Sequence, residues 1–244
     1  MFRTVVPLAT VMVVAACAAP TAAPPDEQVA TLTTSTSAVP ASTPVGTTAT
    51  GGAMVALNRL AVKGRAPKTG YSREMFGPSW KDVDRNGCDT RNDILRRDLR
   101  NVVFKTGSKC LVYTGILADP YTGKTIYFVR GPNSADVQID HVVALSNAWQ
   151  TGAQKLTLTT RERLANDPLN LLAADGSANM SKSDSDAATW LPPNKKFRCA
   201  YVARQVAVKA RYQLWVTQAE KTAIANVLKT CPSQPLPTGG LAPQ

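Results

Sequence analysis

Two short apolar runs constrain the fold of this chain more than any other feature. The first, at residues 137–143, is rich in β-branched side chains, and the second, at residues 171–174, is closed by Asp175 and Gly176. Apolar runs of this length between turn-forming residues favour buried strands over helices. The sequence therefore predicts two short strands joined by a long loop and followed by a tight turn.

Polar residues stand at the ends of both predicted strands. Asp140 and His141 are neighbours near the end of the first strand, and Asn170 directly precedes the second. A helix is predicted to start near Asn179, with Lys182 one turn later. His141 is the only histidine among 244 residues, so acid–base chemistry near neutral pH has one obvious candidate.

This order of parts resembles that of the HNH, or ββα-metal, nucleases. It is most similar to the secreted HNH endonuclease-family proteins of bacteria and to the GmrSD-type HNH domain, with a further likeness to the HNH domain of RNA-guided nucleases. The likeness runs from about Tyr71 to the C-terminal helices, through the segments Y-S-R-E-M-F-G-P-S-W, C-D-T-R-N-D-I-L, D-P-Y-T-G and W-L-P-P-N. It implies an α+β fold with a ββα-metal (HNH or His-Me finger) core, an added β-hairpin and C-terminal helices.

The resemblance also implies a role for each polar residue. His141 would be the general base that activates water, Asp140 a ligand of a divalent cation, and Asn170 the residue that pins the loop and orients the histidine. Asn179 stands where many family members have a final histidine, and its amide oxygen would be the second ligand. A set of oxygen ligands favours magnesium or manganese over zinc. Lys182 would place a positive charge beside the phosphate or the water, and so serve both catalysis and nucleic-acid binding.

The residues alone leave simpler interpretations open. A single histidine on a strand is often a hydrogen-bonded structural residue, and Asp140 would also suit the cap of a turn. Asn179 would suit a helix N-cap, where asparagine is favoured. Asn170 follows Asp167 and Pro168 closely enough to belong to an ordinary turn.

The function implied by the resemblance is that of a metal-dependent HNH endonuclease, a phosphodiester hydrolase. No base-reading element is apparent, so low sequence specificity is expected. The preferred substrate is DNA rather than RNA, and no obligate protein partner is predicted. The rival hypothesis is a non-catalytic module that keeps the fold and binds nucleic acid or the cell envelope.

The N-terminus has the pattern of an export signal. One basic residue, Arg3, precedes an apolar run that is too short to span a membrane, and V-A-A-C reads as a lipobox ending at Cys17. Residues 1–17 are therefore predicted to be a lipoprotein signal peptide, with Cys17 lipidated and the protein on the outer face of the cell membrane. The alternative is ordinary cleavage near residues 16–19 and a soluble secreted protein; a lipid anchor is the one membrane contact expected.

The remainder divides into a tether and one domain. Residues 18–52 consist mainly of Ala, Thr, Pro and Ser, a composition that buries too little apolar surface to offset the entropy of ordering, so a disordered tether is predicted. Residues 53–238 form the predicted nuclease domain. The chain has a formal net charge of +11, which suits a polyanion such as nucleic acid. Attraction to an anionic envelope, or solubility alone, would explain the same charge.

The cysteines fit an exported protein. Apart from Cys17 there are four, an even number that favours disulfides. Of the three connectivities, Cys88–Cys110 with Cys199–Cys231 is preferred because each pair joins neighbours along the chain. A zinc site made of the four thiolates is the alternative, although no C-x-x-C spacing supports it.

The segment D-V-D-R-N-G-C-D-T-R-N-D resembles a calcium loop only superficially, because it lacks the closing glutamate of an EF-hand. A turn leading into a helix from about Arg91 is predicted instead. In the family this segment lies close to the nuclease core, so the resemblance makes Arg91 a candidate phosphate contact. A solvated helix face, with Arg91 paired to Asp93 and Asp98, is the alternative.

The other predicted elements surround these segments. Residues 111–115 and 125–130 read as a hairpin that places the strand at 137–143 against a small sheet. Helices are predicted at residues 54–60, 145–153 and 160–164, from Asn194 to about Val216, and from Gln218 to Lys229 behind a Thr217 cap. An aromatic stripe on the long helix is interpreted as core, and its basic residues, Lys209 among them, as solvated.

Overall fold

The computed structural model describes residues 52–239. The predicted signal peptide at 1–17, the lipidated Cys17 and all of the predicted tether except Gly52 lie outside the described residues. Within 52–239 the chain mixes helices with antiparallel strands, which confirms the predicted α+β class. None of the helices in this range combines the length and the apolar character that crossing a bilayer requires.

Seven helices and five strands make up the described part of the chain, with short 3-10 turns between them. The helices are α1 Gly52–Arg59, α2 Thr90–Asp98, α3 Leu145–Gln150, α4 Leu158–Asn166, α5 Gly176–Lys182, α6 Arg198–Arg211 and α7 Gln218–Lys229, and the strands are β1 Leu99–Phe104, β2 Val112–Ala118, β3 Thr125–Val129, β4 Val137–His141 and β5 Leu171–Asp175.

Strands β4 and β5 form a two-stranded antiparallel sheet, as their apolar runs predict. The pairing runs from Val137 opposite Asp175 to His141 opposite Leu171. Helix α5 follows β5 directly, because the Asp175 side chain caps it by accepting a hydrogen bond from the backbone N–H of Ala178 at 2.8 Å. Two antiparallel strands and a helix thus occur in the predicted order.

The predicted hairpin is present as β2 and β3, but it belongs to a three-stranded sheet in the order β1-β2-β3. Strand β1, which begins directly where α2 ends, has no counterpart among the sequence predictions. Strand β4 makes no ladder with this sheet and packs against it through apolar side chains. Val137 and Ile139 share a buried cluster with Leu117 and Phe128 of the hairpin.

The long C-terminal helix is shorter than predicted. The Asn194 side chain does cap a turn, but the turn is a 3-10 turn, Lys195–Phe197, and α6 ends at Arg211 rather than near Val216. Gln213 has a φ of 53°, a left-handed conformation that cannot continue a right-handed helix. Helix α7 begins as predicted, with Thr217 and Glu220 forming a reciprocal capping box.

Two disulfides join the cysteine pairs that the sequence favours, Cys88–Cys110 and Cys199–Cys231. The first ties the loop before α2 to the loop before β2, and the second ties α6 to the end of α7. The alternative zinc site is excluded in this state, because a disulfide sulfur is not a thiolate ligand.

Candidate active site

A cavity of about 600 Å³ lies where β4, α5 and the loop before α2 meet. Asp140, His141 and Asn179 all line it, so the structure brings the predicted base and both predicted ligands to one place. Arg73 and Arg91 line it as well. The cavity therefore combines oxygen donors, an imidazole and cationic side chains.

His141 is held in one orientation at the end of β4. Its Nε2 lies 2.9 Å from the carbonyl oxygen of Ala165, which can only accept, so Nε2 carries the proton. The Trp80 ring stacks on the imidazole with 6.2 Å between centroids and 14° between planes. Nδ1 makes no hydrogen bond to any residue in 52–239 and keeps its lone pair.

The surroundings of His141 keep its ring neutral. The residue is 8% exposed, and burial lowers the pKa of its ring to about 4, while the Ala165 carbonyl and the Asp140 charge act in the opposite direction. At neutral pH the ring is uncharged. It therefore presents the lone pair that a proton acceptor needs.

Asp140 is buried at 5% exposure, and two side-chain donors approach it. Lys182 donates from Nζ to Oδ1 at 2.9 Å, and the Tyr121 hydroxyl donates to Oδ2 at 2.5 Å. Burial raises the pKa of Tyr121 well above its usual value, so the phenol stays protonated and can donate. Each carboxylate oxygen has two lone pairs, so one per oxygen remains for another partner.

Asn179 lies inside α5 rather than at its start, so it is not the N-cap that the residues alone left open. Its Nδ2 donates to Gln138 Oε1 of β4 at 2.8 Å, which leaves the amide oxygen as the free group of the side chain. The start of α5 can lie close to the 3-10 turn that precedes β4, Ser134–Asp136, because its first residue is Gly176. A Cβ there would stand 2.2 Å from the Ala135 carbonyl oxygen.

Asn170 is fully buried and ties β4, β5 and α4 together. Its Oδ1 accepts from the Val143 N–H at 2.8 Å, and its Nδ2 donates to the carbonyl oxygens of Val143 and Leu164 at 3.3 Å each. Leu164 precedes Ala165, whose carbonyl accepts from His141. Asn170 thus holds the backbone that holds the imidazole, which is the geometry expected of a residue that orients the histidine.

The structure corrects the expectation that Lys182 contacts phosphate or the attacking water. Its side chain is 0% exposed and lies behind Asp140, where Nζ donates both to Asp140 and to the His141 carbonyl oxygen, each at 2.9 Å. The last turn of α5 points inward at this position, so the lysine serves the carboxylate as a counter-ion. Direct contact with nucleic acid is excluded in this conformation.

Arg91 lies in the first turn of α2, and its side chain faces the cavity. One of its nitrogens donates to the Val137 carbonyl oxygen at 3.3 Å, which leaves the remaining N–H donors for a ligand. Within residues 52–239 Arg91 forms no ion pair with Asp93 or Asp98, the alternative partners, and Asp98 is paired with Arg97 at 2.6 Å. The placement suits the predicted phosphate contact.

Three residues at the site have no assigned role in the sequence analysis: Arg73, Trp80 and Tyr121. All three belong to segments that carry the resemblance, Y-S-R-E-M-F-G-P-S-W and D-P-Y-T-G, so those segments were the available signal. Their roles depend on contacts with residues far along the chain, which periodicity does not show.

Known proteins are similar in sequence to this chain over most of the described range. Residues 89–227 match the family described as the C-terminal domain of GmrSD restriction endonucleases. A protein of Arthroderma benhamiae, described as an uncharacterized secreted protein, is 38% identical over 194 residues, which is 79% of this chain and 91% of that protein. The matched family segment includes Asp140, His141, Asn170 and Asn179 but begins after Arg73 and Trp80.

Proposed function

The chain belongs to the family of GmrSD restriction endonuclease C-terminal domains, and from this premise we propose that it is an exported, metal-dependent endonuclease. The proposed reaction is hydrolysis of phosphodiester bonds in nucleic acid, with DNA the preferred substrate and with low sequence specificity. One observation carries the proposal: the unprotonated Nδ1 of His141 belongs to a side chain that lines the same cavity as Asp140, Asn179 and two arginines.

His141 is the proposed general base. A base must accept the proton of the attacking water, and Nδ1 is the ring nitrogen left free by the hydrogen bond from Nε2 to Ala165. A phosphate bound in the cavity would raise the pKa of the ring, since a nearby negative charge favours the cationic imidazole.

Asp140 and Asn179 are the proposed ligands of a divalent cation in a site of the ββα-metal type. Their residual capacity fits this role, because the carboxylate keeps lone pairs beyond those used by Tyr121 and Lys182, and the Asn179 amide oxygen is not bonded to any residue in 52–239. In that range no three Asp, Glu, His or Cys side chains are grouped to hold a metal ion. Two oxygen ligands completed by water and phosphate suit Mg²⁺ or Mn²⁺. Such an ion would stabilise the negative charge that develops on the phosphate and the leaving oxygen.

Arg91 and Arg73 are the proposed phosphate contacts. Both line the cavity, and a guanidinium matches the geometry of two phosphate oxygens. Contacts of this kind are independent of base sequence. They support the low specificity of the proposed activity.

The second candidate is a module that binds nucleic acid without cleaving it. The observation that favours it is the engagement of both Asp140 oxygens by protein donors, an arrangement that is stable without a cation. The cavity and the arginines that line it would suit the binding of nucleic acid whether or not the nucleic acid is cleaved.

A plasmid assay separates the two. Purified protein is incubated with supercoiled plasmid with Mg²⁺, with Mn²⁺ and with EDTA, beside His141→Ala and the exposed control Asn226→Ala. Nicking that requires the cation, is retained by the control and is lost by His141→Ala supports the enzyme. Equal plasmid binding by all three proteins with no cleavage would support the module.

Export is supported by two observations. The Arthroderma benhamiae relative is a secreted protein, and the two disulfides suit an oxidising compartment. We further propose that Cys17 carries a lipid and that the protein is held at the outer face of the cell membrane. Labelling with a fatty acid tests this, because Cys17→Ser should abolish the label and release the protein into the medium.

A further inference from the structure

The turn between β2 and β3, residues 119–123 with sequence D-P-Y-T-G, places Tyr121 in the protein interior. Tyr121 is 0% exposed, and its ring packs against Trp190, Phe197 and Tyr201 at centroid distances of 5.2, 6.1 and 5.7 Å. These rings come from the segment after α5 and from the start of α6. The Tyr121 ring is therefore held by three aromatic residues that do not line the candidate site.

The one polar atom of the Tyr121 side chain is directed at Asp140. The hydroxyl donates to Oδ2 at 2.5 Å, while Lys182 holds Oδ1. Lys182 brings a positive charge that opposes a second cation nearby, whereas the phenol is neutral. Tyr121 can thus fix the direction of the carboxylate without repelling a divalent ion.

The same turn is also joined to the helix that carries Asn179. Oδ1 of Asp119 accepts from the backbone N–H of Asp175, the N-cap of α5, at 2.9 Å. Oδ2 of Asp119 accepts from both the Thr122 hydroxyl at 2.5 Å and the Thr122 backbone N–H at 2.7 Å, and both bonds lie within the turn. One turn thus contacts the carboxylate of the first proposed ligand and the base of the helix that bears the second.

We propose that the turn at residues 119–123 is a positioning element of the cation site, and that Tyr121 is the positioning residue for Asp140. The inference rests on the proposed function, since it assumes that Asp140 and Asn179 bind a divalent cation. Groups that hydrogen-bond a metal-binding carboxylate set its orientation, and their loss typically costs about 10- to 100-fold in affinity or activity. Tyr121 has this relation to Asp140.

The test compares Tyr121→Phe with Tyr201→Phe. Each variant removes one buried hydroxyl from the same aromatic cluster, but the Tyr201 hydroxyl bonds Gln205 rather than Asp140. Mn²⁺ binding is measured by titration calorimetry on the full protein, together with the Mn²⁺ concentration that gives half-maximal nicking and the melting temperature. Tyr121→Phe is expected to weaken Mn²⁺ binding about 10-fold. Tyr201→Phe should bind as the wild type does, with a similar loss of melting temperature in both.

Thr122→Val provides a second variant, should Tyr121→Phe fold poorly. It removes one of the two hydrogen bonds from Thr122 to the Asp119 carboxylate, and should weaken Mn²⁺ binding in the same direction by a smaller factor. If the wild type binds Mn²⁺ and Tyr121→Phe binds it as tightly or more tightly, the positioning role of Tyr121 is overturned, while the cation assignment stands. Wild-type protein that binds no Mn²⁺ would overturn the cation assignment, and this inference with it.

Discussion

The hydrogen bond from His141 Nε2 to the Ala165 carbonyl oxygen joins β4 to the last turn of α4 over 2.9 Å. The bond decides the tautomer, because a carbonyl oxygen cannot donate. Its geometry depends on Asn170, which fixes the neighbouring Leu164 carbonyl and the start of the loop at Val143. The Ala165 carbonyl oxygen thus fixes both the tautomer and the orientation of the imidazole, so no second titratable side chain is needed to orient it.

Asn170→Asp should weaken this arrangement with almost no change in volume. The amide donates to two carbonyl oxygens, and a carboxylate in its place would face both with negative charge. An unsatisfied or repelled buried group costs about 1–3 kcal/mol, and more when charged. We expect urea denaturation to show a loss of roughly 3 kcal/mol and nicking to fall at least about 10-fold. Asn226→Asp, on the exposed face of α7, is the control and should be near neutral; equal losses in both would contradict the role of Asn170.

The pH dependence of stability should report the burial of His141. Its pKa in the folded protein is about 4, below the usual 6.5, so between these values the unfolded chain binds more protons. The part of the folding free energy that depends on a neutral His141 is therefore fully present above pH 6.5. It is lost as the pH falls toward 4. At pH 4.5 the stability lost through His141, relative to pH 7, is about 2–3 kcal/mol. Urea denaturation in EDTA at pH 7 and 4.5, for wild type and His141→Gln, isolates the loss of stability that is due to His141. An identical pH dependence in both proteins would refute the lowered pKa of His141.

Removing the counter-ion of Asp140 should be costly. Lys182 and Asp140 form a buried pair, and loss of one partner leaves an uncompensated charge, with a typical cost of about 3–5 kcal/mol. Lys182→Met is expected to lose that amount in chemical denaturation. Lys81→Met breaks a pair whose lysine is 45% exposed, and should cost at most about 1 kcal/mol. Adding Asp140→Asn to Lys182→Met should recover part of the loss, and a double variant that sums both losses would argue against coupling.

The sequence predicts those parts of the site that local pattern controls. Apolar runs between turn residues predict the strand that ends at His141 and the strand that begins after Asn170. The number and order of the cysteines predict the disulfides. Burial of charged residues is not visible in this way. The N-x-x-K spacing places Lys182 one turn from Asn179 but does not show that this turn faces inward, and Lys209, expected to be solvated, is buried against Glu220. Trp80 on His141 and Tyr121 on Asp140 are contacts between separate segments, which only the folded chain brings together.

Arg91→Ala should make the affinity for nucleic acid less dependent on salt concentration. Each phosphate contact that is lost lowers the slope of log affinity against log salt by about 1, and weakens binding equally for all sequences. We expect Arg91→Ala to show this smaller slope on two unrelated DNA duplexes, measured with the His141→Ala background so that no strand is cut. Arg59→Ala, which removes an exposed charge at the end of α1 away from the cavity, is the matched control and should keep the slope of the His141→Ala protein. Arg91 lines the cavity beside Asp140 and His141, so a slope unchanged by Arg91→Ala would mean that phosphates do not enter there, and the cavity would lose its place as the site of cleavage.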